Sequence, residues 1–222
     1  TLQNEPHFEP DNYPGMRVDP FKRAAFIGGH LGPLLARTHP GTAIFDWDHN
    51  WDEPESPAVV LSDPAAARYV SGIAWHCYGG DVRAQGRLHR LFPAKDTWFT
   101  ECSGGRWSPD WAQNLQYFAK TLVIDTTRNW ARGVLFWNLA LDAHDGPHLG
   151  GCANCRGVVT IDAATGAVTR NVEYYALAHA SRFVLPGARR IASSGDDNVA
   201  FANPDGSFAL LVANGAAQPR AL

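Results

Sequence analysis

Apolar and polar positions along the chain follow two patterns, short runs of β-branched and aromatic residues and longer stretches with helical spacing. The short runs predict buried strands at 41–45, 72–78, 97–100 and 133–139. Before the last run, Trp111, Leu115, Phe118 and Leu122 recur at the spacing of one helix face, and a further helix is predicted at 173–183. This alternation predicts an α/β fold in which parallel strands are joined by helical crossovers.

Two of the predicted helices have recognisable starts. Asp19 precedes Pro20, and Ser108 precedes Pro109, so each pair places a capping residue before a proline at the first helical position. Asp110 adds an acidic residue to the first turn of the second helix. The sequence therefore predicts that these helices begin at Pro20 and Pro109.

The pattern changes after about residue 183. Short apolar runs at 189–192, 198–201 and 207–212 predict strands, and the sequence Asn-Pro-Asp-Gly at 203–206 predicts a tight turn between the last two. These runs predict the start of an antiparallel β module. The predicted domains are therefore residues 1–183 and 184–222.

The amino-acid composition excludes some classes of function. The 222 residues are 45% hydrophobic and 18% charged, which is enough apolar content for a sizeable core. The net charge is −3 and no basic run is present, so nucleic acid is not an expected partner. No apolar run approaches the roughly 20 residues that span a bilayer, and no transmembrane segment is predicted.

All eight Trp lie between positions 47 and 137, where they either fill the core or stack on sugar rings.

Two glutamates are candidate catalytic groups. Glu101 closes the apolar strand at 97–100 and precedes a Gly-rich loop, which is where barrel enzymes carry catalytic side chains. Glu5 stands in the segment Gln-Asn-Glu-Pro at 3–6. For either glutamate, a salt-bridged or solvent-facing position is the simpler alternative.

Two metal sites are conceivable from spacing. Asp46, Asp48 and Asp52 alternate along one segment, but this segment lacks the glycine and terminal glutamate of a calcium loop. The spacing His-x3-His-x3-Cys-x2-Cys from His144 to Cys155 offers four ligands of the kind that zinc prefers.

Several motifs in collinear order resemble glycoside hydrolase family 30, the glucosylceramidase-like enzymes. They are 3–6 (QNEP), 46–52 (DWDHNWD), 99–105 (FTECSGG), 136–142 (FWNLALD), 146–147 (GP), 157–162 (GVVTID), 171–179 (NVEYYALAH) and 182–188 (RFVLPGA). The resemblance covers about residues 1 to 194. It implies the C-terminal portion of a (β/α)8 TIM barrel, followed by part of an antiparallel β-sandwich domain.

The resemblance also implies roles for individual residues. Glu5 matches the general acid/base of a retaining glycosidase, and Glu101 matches its nucleophile. Asn4 resembles the residue that binds the sugar 2-hydroxyl, although an Asx-turn role is the alternative. His76 and Tyr78 share one face of the strand that lines the sugar pocket in the family. Tyr78 is placed to donate to the nucleophile, while His76 has a buried core histidine as its alternative.

Trp137 resembles the aromatic platform under the reacting sugar, at the end of the eighth strand. The family is not known for a metal in the loop that follows, so a Cys152–Cys155 disulfide is preferred there to zinc. Cys77 and Cys102 are interpreted as buried thiols or a second bridge. No cofactor or metal is expected.

The function implied is hydrolysis of β-glycosidic bonds in a carbohydrate or glycolipid substrate, such as β-glucosides, glucosylceramide, β-1,6-glucan or β-xylosides. A non-catalytic carbohydrate-binding relative is the alternative from another class, and the carboxylate pair argues against it. We also expect the first three and a half barrel strands to lie outside these residues. The isolated chain is then expected to be an unstable, inactive fragment, because strand edges would be open. An extracellular location is expected from the substrate class and from possible disulfides.

Overall fold

The computed structural model describes residues 1–219. The regular elements occur in the following chain order: α1 (Pro20–Phe26), a π-helical turn (Ile27–Leu31), α2 (Gly32–Thr38), β1 (Ile44–Asn50), α3 (Glu55–Ser62), α4 (Pro64–Ala67), β2 (Val70–His76), α5 (Arg83–Leu91), β3 (Asp96–Glu101), β4 (Gly104–Gly105), α6 (Trp111–Tyr117), a π-helical segment (Phe118–Asp125), α7 (Thr126–Arg128), β5 (Ala131–Val134), β6 (Ala140–Leu141), β7 (Cys155–Arg156), β8 (Val159–Ile161), β9 (Val168–Arg170), α8 (Val172–Ser181), β10 (Arg189–Ile191), β11 (Asn198–Ala202) and β12 (Phe208–Val212). Within residues 1–219, no helix has both the length and the apolar content needed to cross a bilayer.

The chain divides into two compact units. The first contains Thr1–Glu101 and Asn129–Leu135, and the second contains Cys102–Arg128 and the chain from Phe136 onward.

The first unit is built on a four-stranded sheet in the order β1-β2-β3-β5, with every neighbouring pair parallel. The apolar core of this unit includes the large buried side chains of Trp47, Trp75, Phe99 and Ile73. Trp51 stacks on Phe99 with ring centroids 5.6 Å apart, and its indole N–H donates to Gln85. The predicted parallel α/β sheet is confirmed.

Two strands have bounds that differ from those predicted. The run at 41–45 predicted a strand, but β1 spans Ile44–Asn50, because its polar side chains find partners inside the fold. The run at 133–139 predicted another, but β5 ends at Val134. Trp137 therefore does not end a strand. The chain leaves the extended conformation here, and Asn138 has a left-handed φ of 76°.

The first helix of the second unit runs from α6 through α7. Asp110 caps it, since its carboxylate accepts a hydrogen bond from the Gln113 backbone N–H at 2.9 Å. The predicted start at Pro109 with Ser108 as the cap is therefore wrong. The carbonyl of Ser108 instead accepts from the Asn114 side chain. The cap at Asp19 is confirmed, because its side chain accepts from the Lys22 backbone N–H.

The rest of the second unit contains small sheets and α8. Strands β10, β11 and β12 form an antiparallel sheet, as the sequence predicted. Arg156 of β7 binds the buried Glu173 of α8 through two guanidinium nitrogens, the shorter contact being 2.8 Å. Gly104 lies against the same carboxylate, so any side chain there would collide with it.

A buried ion pair joins α1 to β1 in the first unit. Arg23 and Asp46 are 1% and 0% exposed, and the Arg23 Nε donates to Asp46 Oδ1 at 2.9 Å. The same guanidinium donates to the Ser56 hydroxyl at 2.8 Å, and it lies over the Trp47 ring. Because removing one partner leaves the other charge buried and unpaired, such pairs hold their surroundings in one arrangement.

We expect Arg23→Met to lower the free energy of unfolding by about 3–5 kcal/mol, because it strands the Asp46 carboxylate in the core. Urea unfolding of the protein, expressed from its complete reading frame, measures the loss. Lys22→Met is the matched control, since Lys22 pairs with Asp19 on the surface with its side chain 80% exposed. The control should change stability by less than about 1 kcal/mol. Equal effects of the two substitutions would contradict the prediction.

Candidate active site

Glu5 lies on the loop before α1 and is fixed by strand β1. Its backbone N–H donates to the carbonyl of Asp48 at 3.0 Å, and its φ of 48° is left-handed. A non-glycine residue rarely adopts this conformation unless its surroundings hold it there. The loop thus presents the Glu5 carboxylate to the carboxyl ends of the parallel strands, with only 12% of the side chain exposed.

Strand β1 is irregular at the residue that anchors Glu5. Its pairing with β2 shifts register between Trp47 and His49, and both Trp47 and Asp48 have left-handed φ values, 77° and 51°. A β-bulge of this kind changes the direction of a side chain, and bulges are common beside active sites. Here it lets Asp48 reach the neighbouring strand, where it binds His76 of β2.

His76 is the centre of the cluster. Its imidazole is 1% exposed and faces three carboxylates. Nδ1 lies 3.1 Å from Glu5 Oε1, and Nε2 lies 3.0 Å from Asp48 Oδ1 and 3.8 Å from Glu101 Oε2. The two candidate catalytic carboxylates therefore flank one imidazole.

Glu101 is the last residue of β3. Its Oε1 accepts a hydrogen bond of 3.0 Å from the Tyr78 hydroxyl. Next to it, the pairing of β2 with β3 shifts register, and the Thr100 hydroxyl donates to Asp48 Oδ1 at 2.8 Å. One oxygen of Glu101 is held by Tyr78, and the other faces His76.

The charges in the cluster shift one another's proton affinities. Burial alone would lower the pKa of His76, but its hydrogen bonds to Asp48 and Glu5 and the charge of Glu101 outweigh burial and raise the pKa to about 9. Burial opposes ionisation of Asp48, yet the His76 hydrogen bond and charge hold its pKa below the usual value. Burial raises the pKa of Glu101, an effect that His76 and Tyr78 only partly offset. At neutral pH the His76 imidazole is therefore a cation that is bound to the ionised Asp48 carboxylate.

The structure therefore brings together four of the six residues predicted from the sequence, Glu5, Glu101, His76 and Tyr78. Asn4 adjoins Glu5, with an exposed side chain. Trp137 belongs to the second unit and is half-buried, and its sugar-stacking role stays a prediction. The sequence interpretation missed Asp48 as the partner of His76. It also missed His49, whose Nδ1 lies 3.7 Å from Glu5 Oε1. The sequence signal for Asp48 and His49 was the run of polar residues within β1, a strand that is otherwise apolar.

At both metal sites suggested by residue spacing, candidate ligands are already bound to other groups of the protein. Asp46 is bound to Arg23, and Asp48 is bound to His76, Thr100 and the hydroxyl of Thr1. Cys152 and Cys155 form a disulfide, which confirms the preferred interpretation of this pair. Cys77 and Cys102 are also disulfide-bonded, so neither is a thiol.

Comparison with known families identifies the domains of the chain. Residues 1–184 match the glycosyl hydrolase family 30 TIM-barrel domain, and residues 187–222 match the family 30 beta sandwich domain. The chain belongs to glycosyl hydrolase family 30. The fold is accordingly a family 30 TIM-barrel portion with part of the beta sandwich domain, as the sequence motifs implied.

Named relatives within family 30 include glucanases and glucosylceramidases. An endo-1,6-beta-D-glucanase of Aspergillus fumigatus is 38% identical over 96% of this chain and 44% of its own length. The lysosomal acid glucosylceramidase of Mus musculus is 31% identical over 96% of this chain and 45% of its own length. A solved endo-beta1,6-glucanase structure superposes with a TM-score of 0.88 at 34% identity, covering 94% of this chain and 49% of that one. The chain thus spans about half the length of these family 30 relatives.

We expect Asp48→Asn to lower the pKa of His76 from about 9, because the substitution removes the carboxylate that accepts from Nε2. Side-chain nitrogen NMR across a pH series reports the protonation state of each histidine. Asp52→Asn is the matched control, since Asp52 is an exposed residue just after β1 and should leave the pKa of His76 in place. An unchanged His76 titration in Asp48→Asn would contradict the assignment.

Proposed function

We propose that this protein is a retaining glycosidase that cleaves β-glycosidic bonds, with Glu101 as the nucleophile and Glu5 as the general acid/base. The observation that carries the proposal is the pair of carboxylates on one imidazole, at the carboxyl ends of parallel strands. Membership of family 30 supports it. A binding module has no use for such a pair, whereas double displacement requires one.

In the first step, a Glu101 oxygen attacks the anomeric carbon of the sugar. The bond from that carbon to the leaving-group oxygen breaks, and Glu5 donates a proton to this oxygen. The product is a glycosyl ester of Glu101. Tyr78 supports the attack because its hydrogen bond to Oε1 orients the carboxylate. The His76 charge favours the ionised form that the nucleophile needs.

In the second step, Glu5 acts as a general base instead of a general acid. Glu5, now a carboxylate, takes a proton from a water molecule, and the water oxygen attacks the anomeric carbon from the face that the leaving group vacated. The ester bond breaks and returns Glu101 as a carboxylate. Two inversions give net retention of configuration.

We assign the remaining predicted residues to substrate binding. Asn4 immediately precedes Glu5 on the loop and is proposed to hydrogen-bond the sugar 2-hydroxyl, a contact that strengthens in the transition state. Trp137 is proposed as the platform under the sugar ring. The catalytic portion is proposed to comprise residues 1–183 and the β-sandwich portion residues 184–222.

Among carbohydrate substrates, β-1,6-glucan is favoured. It is the substrate in the names of the Aspergillus fumigatus relative and of the solved glucanase, which are 38% and 34% identical to this chain. Glucosylceramide is the second candidate, from the mouse relative. Export from the cytosol is proposed as well, because the cysteines are oxidised and disulfides persist in oxidising compartments.

We expect Glu101→Gln to reduce kcat on β-1,6-glucan by at least about 10³-fold, because an amide cannot form the glycosyl ester. Glu5→Gln should cost about 10²–10⁴-fold through loss of proton transfer. Reducing-sugar release by the protein expressed from its complete reading frame measures both. Glu9→Gln, on the same loop as Glu5 and exposed, is the control and should keep wild-type turnover.

Undiminished turnover in Glu101→Gln would refute the nucleophile assignment. Parallel assays with glucosylceramide, an aryl β-glucoside and an aryl β-xyloside separate the substrate classes. Binding of glucan without hydrolysis of any of these substrates by the wild-type protein would favour the non-catalytic alternative.

We expect His76→Asn to move the acidic limb of the kcat/KM profile to higher pH. The imidazolium lowers the pKa of Glu101, so its removal raises the pH below which the nucleophile is protonated. The profile on β-1,6-glucan, measured from pH 4 to 8, reports the shift. His144→Asn is the control, since His144 is exposed in the loop after β6. A lower rate with an unmoved limb would contradict the electrostatic role of His76.

A further inference from the structure

A second imidazole beside Glu5 has no part in the proposed reaction. His49 lies on β1, and its side chain is 9% exposed. Its Nδ1 is buried and makes no hydrogen bond within the described residues, although it lies 3.7 Å from Glu5 Oε1. Buried polar atoms nearly always have a partner, so an unsatisfied nitrogen facing a carboxylate calls for a ligand between them.

Three ligand atoms converge at this point. Glu5, His49 and His76 each offer one, and all three atoms lie within 4.8 Å of one another. In a tetrahedral zinc site with bonds of about 2.0–2.2 Å, ligand atoms are separated by about 3.4 Å. The Glu5 oxygen is 3.1 Å from His76 Nδ1 and 3.7 Å from His49 Nδ1, close to that spacing.

The surroundings of His76 are those of a metal-binding histidine. Asp48 Oδ1 lies 3.0 Å from Nε2, the ring nitrogen that faces away from Glu5. A carboxylate in this position keeps the proton on Nε2 and orients the ring, so that a metal ion can take the place of the Nδ1 proton. Thr100 and Thr1 hydrogen-bond Asp48 in turn, so the supporting carboxylate is itself fixed.

His49 also suits a metal. Its Nδ1 faces the Glu5 carboxylate and makes no hydrogen bond among the described residues, so this nitrogen is placed for a metal ion. Two imidazoles and one carboxylate are a ligand set that zinc uses where a fourth position stays open to water. Part of Glu5 is exposed, which leaves a path for solvent.

We propose that Glu5, His49 and His76 form a binding site for a divalent transition-metal ion of the zinc class, and that the bound ion inhibits hydrolysis by occupying the general acid/base. Binding itself is independent of the proposed function, whereas inhibition rests on it. The ion displaces the Nδ1 proton of His76 to solvent, and the Glu5 oxygen that must protonate the leaving group becomes a metal ligand. The metal is therefore an inhibitor of this site and not its cofactor.

The protein is expressed from its complete reading frame, stripped of metal ions with a chelator and then freed of the chelator. Zn²⁺ is titrated into this sample. Calorimetry measures affinity and stoichiometry, and visible absorption of a Co²⁺ complex reports a tetrahedral site with nitrogen ligands. We expect one Zn²⁺ to bind per chain. Because His49 is a proposed ligand, His49→Gln should weaken Zn²⁺ binding at least about 10-fold. Asp48→Asn should weaken it about 10–100-fold, because the supporting carboxylate is lost.

His144→Ala/His148→Ala is the matched control, since it removes two exposed histidines from the loop after β6. It should leave the Zn²⁺ affinity of the site unchanged. β-1,6-Glucan hydrolysis, normalised to the metal-free rate of each variant, should fall with Zn²⁺ in the wild type and the control, and should resist Zn²⁺ in His49→Gln.

Circular dichroism and the urea midpoint verify that His49→Gln is folded, and the Co²⁺ spectrum of the wild type tests the site without any variant. No Zn²⁺ binding, or binding that His49→Gln and Asp48→Asn leave unaltered, would overturn the proposal. His49-dependent binding in a protein without hydrolytic activity would leave the metal site standing and would refute the proposed function instead.

Discussion

Charge balance around His76 is the constraint on which the site depends. Three carboxylates face one imidazole, and without a cation between them their mutual repulsion and their burial would oppose ionisation. The imidazolium offsets that cost and stays charged to about pH 9. It thereby ties together a loop, the bulge of β1 and the end of β3. The carboxylates of Glu5 and Glu101 both border this one ring.

The backbone supplies the geometry that the charges require. Asp48 reaches His76 only because β1 is bulged and the residue adopts a left-handed conformation, and its carbonyl then fixes the Glu5 backbone. Such strain needs rigid support. The buried pair of Arg23 with Asp46, two residues before the bulge, provides it by tying β1 to α1. Stability in the core and geometry at the site are thus linked through one strand.

Two neighbouring histidines are held in opposite states. His76 has carboxylates at both nitrogens, which raise its pKa, while burial dominates at His49 and lowers its pKa. Both rings border Glu5. One histidine therefore balances the charge of the carboxylates, and the other leaves an unsatisfied nitrogen beside Glu5. Neither role follows from residue type, because the unperturbed pKa of histidine allows both.

The sequence by itself determined the parallel α/β sheet, the antiparallel strands at the C-terminal end and the contact of Tyr78, two residues after β2, with Glu101 at the end of β3. These follow from local periodicity and from collinear motifs, which are properties of neighbours along the chain. Tertiary structure alone decided that Asp48 and His49 join Glu5, that Asp46 binds Arg23, and that β1 extends through polar residues. Those outcomes depend on a bulge and on partners 20 or more positions away, and such contacts leave no trace in the spacing of side chains. The same contacts set the proton affinities of the site, because a pKa reflects the charges and burial around a group and not its place in the chain.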